Sequence, residues 1–246
     1  MKVSVIIPAA GLGTRMAAKS GSAGDGQERS AARKQFMLLD NEPLIVHTIR
    51  KFASSPSVAE IVIAVRPEDA ASAAEWITQA AVSTPVRIVE GGNSRQQSVD
   101  NALASLPADT ELVAVHDAVR PFIDVATIEQ VFAEAAISGA AIVGIVPVDT
   151  VKQVRLNKVR QTIPREHLIL AQTPQVFRYS LLRQAFDKAR ADNFTGTDEA
   201  SLVERLEQVE VSVVAGSDRN IKITKPGDME LAKLFLAQEK EAAGRR

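Results

Sequence analysis

The chain of 246 residues has no cysteine, one tryptophan, one tyrosine and three histidines. Without cysteine there is no disulfide, no thiolate-bound zinc and no cysteine nucleophile. His47, His116 and His167 form no H-x-x-x-H or H-E-x-x-H pair, which argues against zincin-type chemistry. Neither sign of charge dominates: 29 basic against 30 acidic residues leave a formal net charge of −1, so no global basic surface marks the chain for nucleic acid. No apolar run reaches the length of a membrane span. An apparent core strand from Val3 leaves no room for a signal peptide, and a cytoplasmic location is expected. What the chain does have is a 46% hydrophobic content, enough for the core of one large α/β domain.

Short β-branched runs at Val3–Ile7, Ile61–Val65, Val86–Val89, Leu112–Val115 and Ala141–Val146 read as strands buried on both faces, as a parallel sheet requires. Helical patterns lie between them at Leu44–Phe52, Ala70–Ala81, Ser94–Leu106 and Val125–Ser138. The alternation predicts a three-layer α/β fold with a mostly parallel sheet, in which ligands bind beyond the carboxyl ends of the strands. Two regions break it. Between Met16 and Lys34 the chain is rich in Gly, Ser, Ala and charge, and reads as a mobile loop. From Asp149 to Phe177 it is polar and β-like, with Thr150–Val154 and Val159–Ile163 flanking Asn157-Lys158. This predicts a projecting arm over 149–171 within a single domain of residues 1–246, and such an arm is more often a dimerisation device than a separate domain.

The chemistry-bearing residues sit in loops that follow strands. After the first strand comes Pro8-Ala9-Ala10-Gly11-Leu12-Gly13-Thr14-Arg15-Met16. Its small residues let backbone N–H groups approach an anion. The dinucleotide fingerprint fails because Met16 stands at the third glycine position, and no Gly-Lys-Ser/Thr follows to make a P-loop. An anionic ligand competes here with a plain tight turn. Glu90-Gly91-Gly92-Asn93-Ser94-Arg95-Gln96-Gln97-Ser98 either presents backbone and Ser98 to a nucleobase edge or is a Ser94-capped helix start. In His116-Asp117-Ala118-Val119-Arg120-Pro121, Asp117 and Arg120 are either used on a ligand or paired with each other, and His116 reads as a core histidine. Thr197-Asp198-Glu199 reads as a helix start capped by Thr197, and Asn220–Thr224 as a short strand whose Lys222, taken alone, would be a surface residue.

Separate loops thus each offer a cation: Arg15, Lys34, Arg120, Arg165 and Lys222. A nucleoside triphosphate meeting a phosphate monoester brings about six negative charges. One Mg²⁺ and these side chains would roughly balance it. A phosphate monoester is already a nucleophile at neutral pH, so joining it to a nucleotide needs positioning and charge stabilisation rather than a catalytic His, Ser or Cys.

Pro8–Met16, Lys34-Gln35, Gly91-Gly92 with Ser94-Arg95 and Ser98-Val99, Val115–Pro121, Thr173-Pro174-Gln175, Thr197–Ser201 and Asn220–Thr224 together resemble the 2-C-methyl-D-erythritol 4-phosphate cytidylyltransferases of the non-mevalonate isoprenoid pathway. The resemblance runs from Val3 to Leu234 and implies a Rossmann-like nucleotidyltransferase fold. It implies CTP and methylerythritol phosphate as substrates, Mg²⁺ as cofactor, and a homodimer whose arms swap over. By residue, Arg15 and Lys34 would stabilise the α-phosphate. Pro8, Ala9, Ala10, Gly11, Leu12 and Gly13 would line the nucleotide, with Gly92, Asn93 and Ser98 at cytosine and ribose. Asp117 would lie near Mg²⁺ and the polyol, and Ala118, Arg120, Thr150, Thr173 and Thr197 at the acceptor. Arg165 and Lys222 would orient the acceptor's phosphate, Arg165 and Thr150 serving the neighbouring subunit's site.

The chain departs from the family pattern in having Arg33 directly before Lys34, a longer spacing from Arg15, and Asn93 where Asp is frequent. The longer spacing suggests a segment that orders on nucleotide binding. Competing readings are a ribitol 5-phosphate cytidylyltransferase, a nicotinamide-dependent oxidoreductase and a non-catalytic nucleotide sensor.

Overall fold

The computed structural model describes residues 2–11 and 34–244. These build a two-stranded ribbon of β2 (Leu38–Leu39) and β3 (Glu42–Pro43) and a seven-stranded sheet in the order β11 (Ser212–Ala215), β7 (Ala140–Ile145), β10 (Leu170–Arg178), β6 (Leu112–Val115), β1 (Val3–Pro8), β4 (Val58–Val65), β5 (Val86–Glu90). Its centre is made of β1, β4, β5 and β6, all mutually parallel. β7 and β11 are parallel to each other. β10 runs antiparallel to both β6 and β7, and joins the two halves.

Side-chain alternation explains why the central runs are almost entirely apolar, with Ser4, Glu60 and Arg87 the polar exceptions in their interiors. Val5, Ile7, Ile61, Ile63 and Ala114 point to one face. They pack there on α1 (Leu44–Ala53), α2 (Ala70–Ala80) and α4 (Val125–Ser138) through Phe52, Ala73, Val131 and Phe132. Ile6, Val62, Ala64, Val113 and Val115 point the other way, against α3 (Arg95–Ala104), α5 (Tyr179–Ala191) and α6 (Glu199–Glu204). A strand covered on both faces cannot alternate polar with apolar residues, so the predicted three-layer α/β fold follows from the runs themselves. Asp124 caps α4, and Gly139 ends it at φ 89°, a left-handed conformation that favours glycine. α7 (Pro226–Gly244) closes over the site end, where Phe122 meets Phe235 edge-on at 5.4 Å. Among the described residues no helix is long and apolar enough to cross a membrane.

The arm is a hairpin of β8 (Val151–Arg155) and β9 (Lys158–Ile163), with Leu156 and Asn157 both at positive φ. The turn therefore lies one residue earlier than expected, since a two-residue primed turn needs both central residues left-handed. The arm is also shorter than 149–171, because Leu170 and Ala171 already pair with Ile145 and Gly144 of the main sheet. Two further expectations are corrected. Asn220–Thr224 is an extended segment rather than a strand, with Ile223 donating its N–H to Val119 O at 2.9 Å. The cap of α6 is Asp198, not Thr197: Asp198 accepts from the Ser201 N–H and Ser201 closes a capping box.

Candidate active site

The carboxyl ends of β1, β4, β5 and β6 open into a cleft of about 200 Å³, walled by Pro8–Gly11 on one side and by Asp117, Ala118 and Lys222 on the other. On the first wall the backbone is held by side chains from elsewhere. Gln35 Nε2 donates to Ala9 O at 2.5 Å and Gly11 O at 3.2 Å, and Arg66 Nε donates to Ala10 O at 2.9 Å. The loop after β5 lies directly against this wall. A Cβ on Gly91 would come within 2.4 Å of the Ala10 Cβ and 3.2 Å of Val65 O, so glycine is required by the close approach of two loops. The buried Ser98 hydroxyl accepts from Gly92 N–H at 3.0 Å and donates to Ser94 O at 2.8 Å, and Ser94 caps α3 through Gln97 N–H.

Across the cleft, three cations converge on one buried carboxylate. Asp117 Oδ2 lies 2.8 Å from Lys222 Nζ and 3.3 Å from Arg120 Nε, while Oδ1 lies 3.3 Å from Arg95 Nε. Burial alone would push the Asp117 carboxyl up, but Arg95 and Lys222 outweigh it and hold it well below the usual carboxylate range. Arg95 also donates from Nη1 to Glu199 Oε1 at 2.7 Å. Although burial works against its charge, Glu199 and Asp117 hold that guanidinium more firmly protonated than usual. Glu199 itself is 1% exposed, and burial lifts its carboxyl above the ordinary value despite the Arg95 bond. Arg120 passes its Nη1 to Asn220 O at 2.7 Å, and the Asn220 amide donates to Gln172 Oε1 at 3.0 Å and Thr173 O at 2.9 Å. Lys222 is thus strung between two buried anchors, Asn220 and Ile223, with its own ammonium at the cleft.

A chain of hydrogen bonds sets the protonation of His116. Its Nε2 lies 3.0 Å from Arg120 O, which can only accept, so the proton sits on Nε2. Nδ1 is left to accept from the Thr173 hydroxyl at 3.1 Å, which in turn accepts from Asp117 N–H at 3.1 Å. With its ring against Phe52, complete burial drives the His116 pKa down to about 4. It is a neutral structural residue, as the sequence reading has it, and not a base.

The expected site residues divide accordingly. Pro8, Ala9, Ala10, Gly11, Ser98, Asp117, Ala118 and Lys222 line one cleft. Gly92 borders it through Ser98, Asn93 is held to Gln97 outside the lining, and Arg120 and Thr173 stand behind Asp117 rather than in the lining. Thr197 is exposed beside the Asp198 cap. Thr150 and Arg165 lie at the arm, Arg165 donating to Val148 O, and neither lines the cleft of its own chain. Leu12, Gly13, Arg15 and the loop to Arg33 lie outside the described residues. So does the Lys34 side chain, although the Lys34 backbone opens a 3-10 turn over Lys34–Phe36. Sequence reasoning passed over Gln35, Arg95 and Glu199, whose side chains hold the two walls. Arg95 and Gln35 stand inside quoted motifs, but a wall-forming arginine or glutamine has the same local pattern as a solvated one.

A magnesium ion at Asp117 does not fit this arrangement. Both carboxylate oxygens already meet cations, and a doubly charged ion there would stand against the charges of Lys222, Arg120 and Arg95. Among the described residues no group of three His, Asp or Glu is placed to hold a metal. What the cleft can do is receive anions: a small-residue backbone wall faces an exposed ammonium, and the Ser98 hydroxyl is committed to the loop.

The family model of 2-C-methyl-D-erythritol 4-phosphate cytidylyltransferase matches residues 3–238. A protein of that description from Solibacter usitatus is 62% identical over 97% of this chain and 97% of its own length. One from Acidobacterium capsulatum is 49% identical over 97% and 98%. The crystal structure of a 2-C-methyl-D-erythritol 4-phosphate cytidylyltransferase from Thermus thermophilus superposes with a TM-score of 0.73 at 30% identity, covering 96% of this chain and 98% of that one. A 4-diphosphocytidyl-2C-methyl-D-erythritol synthase from Anaerococcus prevotii gives 0.81 at 26%, covering 96% and 98%.

Proposed function

The chain belongs to the 2-C-methyl-D-erythritol 4-phosphate cytidylyltransferase family, and from that premise we infer that the cleft beside Asp117 is where it works. The enzyme transfers a cytidylyl group from CTP to 2-C-methyl-D-erythritol 4-phosphate, giving 4-diphosphocytidyl-2-C-methyl-D-erythritol and pyrophosphate for isoprenoid precursor synthesis. An oxygen of the acceptor's phosphate forms the new bond to the α-phosphorus of CTP. The bond from that phosphorus to the α–β bridging oxygen breaks, and the electron pair leaves with pyrophosphate. No proton need move, so the protein's task is to align two anions and offset their charge.

The observation that carries this assignment is Lys222 held at the cleft by Asp117 while 42% of its side chain stays exposed. An ammonium with one carboxylate partner can share its remaining donors with an arriving phosphate, whereas Arg95 and Arg120 are each tied to a second partner. The Pro8–Gly11 wall, with Gly91, Gly92, Asn93 and Ser98 beside it, takes the nucleotide; in this reading Leu12 and Gly13 also serve the nucleotide and Arg15 and Lys34 its α-phosphate, by the family resemblance alone. Ala118 meets the polyol and Thr173 stands behind that wall; Thr197, exposed at the start of α6, is assigned to the acceptor by the family resemblance alone. Magnesium is a cofactor of the nucleotide in this reading, and no step here depends on a protein carboxylate binding it. The arm carries Val154, Leu156 and Val159 in the open and Arg165 away from its own cleft, which supports a homodimer in which Thr150 and Arg165 serve the partner's site. An enzyme consuming CTP, with no described membrane span, fits the cytoplasm.

The test is pyrophosphate release from CTP and Mg²⁺ with methylerythritol 4-phosphate and, in parallel, ribitol 5-phosphate. Turnover with the first and not the second is expected. Preference for ribitol phosphate would keep the cleft and chemistry but replace the acceptor.

A further inference from the structure

Gln35 joins two parts of the site that are distant in sequence. Its side chain is 5% exposed, lines the cleft and donates to the carbonyls of both Ala9 and Gly11. Carbonyl oxygens only accept, so both contacts place the amide nitrogen on that face. The next residue goes the opposite way: the Phe36 ring, 7% exposed, lies 4.7 Å from the Trp76 ring on α2. The turn Lys34–Phe36 is therefore pinned by an aromatic pair on one side and by two hydrogen bonds on the other. Arg33, not proline, precedes Lys34 in the sequence, and among the described residues these two side chains restrain the turn. Arg66 completes the frame by holding the Ala10 carbonyl between the two that Gln35 holds. In a planar trans peptide the N–H points opposite the C=O. Fixing the Ala9 and Ala10 oxygens thus fixes the directions of the Ala10 and Gly11 N–H groups, the donors a bound anion would meet.

We propose that Gln35 is a positioning residue for the nucleotide: it sets the Pro8–Gly11 loop in the shape that receives CTP and ties the backbone of Lys34 to that loop. The proposal rests on the cytidylyltransferase reading and adds to it a residue that acts through the loop. Two variants of similar size test it. Gln35→Met removes both hydrogen bonds, and Gln35→Glu turns the donor into an acceptor facing two carbonyls. CTP binding is measured by isothermal titration calorimetry without acceptor, together with separate KM values for CTP and acceptor and the thermal midpoint of each variant. Gln35→Met is expected to weaken CTP about tenfold, and Gln35→Glu more, the scale of one lost buried hydrogen bond. KM for the acceptor should stay within about twofold of wild type, a split that general loosening of the fold does not produce. Affinity for CTP within about twofold of wild type in both variants, or equal losses for both substrates, overturns the proposal. If wild type binds CTP but does not turn over, the transfer reading fails while calorimetry still decides on Gln35. A wild type that binds no CTP overturns both.

Discussion

Lys222 Nζ lies 2.8 Å from Asp117 Oδ2, so a buried carboxylate holds a cation at the mouth of the cleft without burying it. This pair turns a lysine on an irregular segment into a fixed ligand for an anion. Replacing Lys222 by Ala should lower kcat/KM for the phosphate acceptor by about 100-fold or more, as for loss of one charge-assisted contact in a preorganised site. Calorimetric affinity for CTP should remain close to wild type. An unchanged kcat/KM would remove Lys222 from the acceptor site.

His116 gives the protein a pH dependence of calculable sign. Burial lowers its pKa from 6.5 to about 4, so between these values the unfolded chain binds the proton that the folded one refuses. Its share of stability is complete above pH 6.5 and is lost as pH falls toward 4, amounting to about 3 kcal/mol. Urea unfolding from pH 7.5 to 4 should show this fall, and the curve for His116→Gln should be flatter over the same window. Parallel curves would contradict the neutral, buried histidine.

Gly91 is where the two nucleotide-side loops touch. Gly91→Ala would put a methyl 2.4 Å from Ala10 Cβ, a distance real side chains do not tolerate, with Val65 O on its other side. The loops must part, at a cost of about 1–3 kcal/mol. A lower thermal midpoint and weaker CTP binding, with the acceptor KM little changed, are the expected outcome.

Arg165 offers a test of the arm that needs no structure of the dimer. If it serves the partner's cleft, Arg165→Ala and Lys222→Ala chains, each nearly inactive alone, form mixed dimers with one intact site and one doubly defective site. Equimolar mixing after dissociation should then restore about a quarter of wild-type turnover, since half the dimers are mixed and each has one good site of two. No recovery on mixing would place Arg165 in its own chain's site, and an Arg165→Ala chain that is active by itself would place it outside the reaction.

The central strands and the helices between them were legible because burial on both faces imposes a local pattern: Ile61–Val65 is apolar at every position and Val3–Ile7 at all but Ser4, with no need to know their neighbours. The Ser94 cap was legible from a local bond, its hydroxyl accepting from the Gln97 N–H three residues on, and His116 from its place at the end of a buried strand. β10 was not read as a central strand, because its polar Gln172, Thr173 and Gln175 are buried by partners from the 116–120 loop, α6 and Asn220. Its pairing between β6 and β7 reveals itself only when those partners arrive.

The sequence by itself determined the layered fold and which loops carry chemistry, since both follow from residue types over a few neighbouring positions. Only the tertiary structure decided how the charges are shared. Asp117 could have paired with Arg120 alone, three residues away, but Arg95, 22 residues earlier, and Lys222 also reach it. Arg95 then finds Glu199 across 104 residues. A charge pair acquires its strength from distance and burial, and neither is a property of the sequence around either partner.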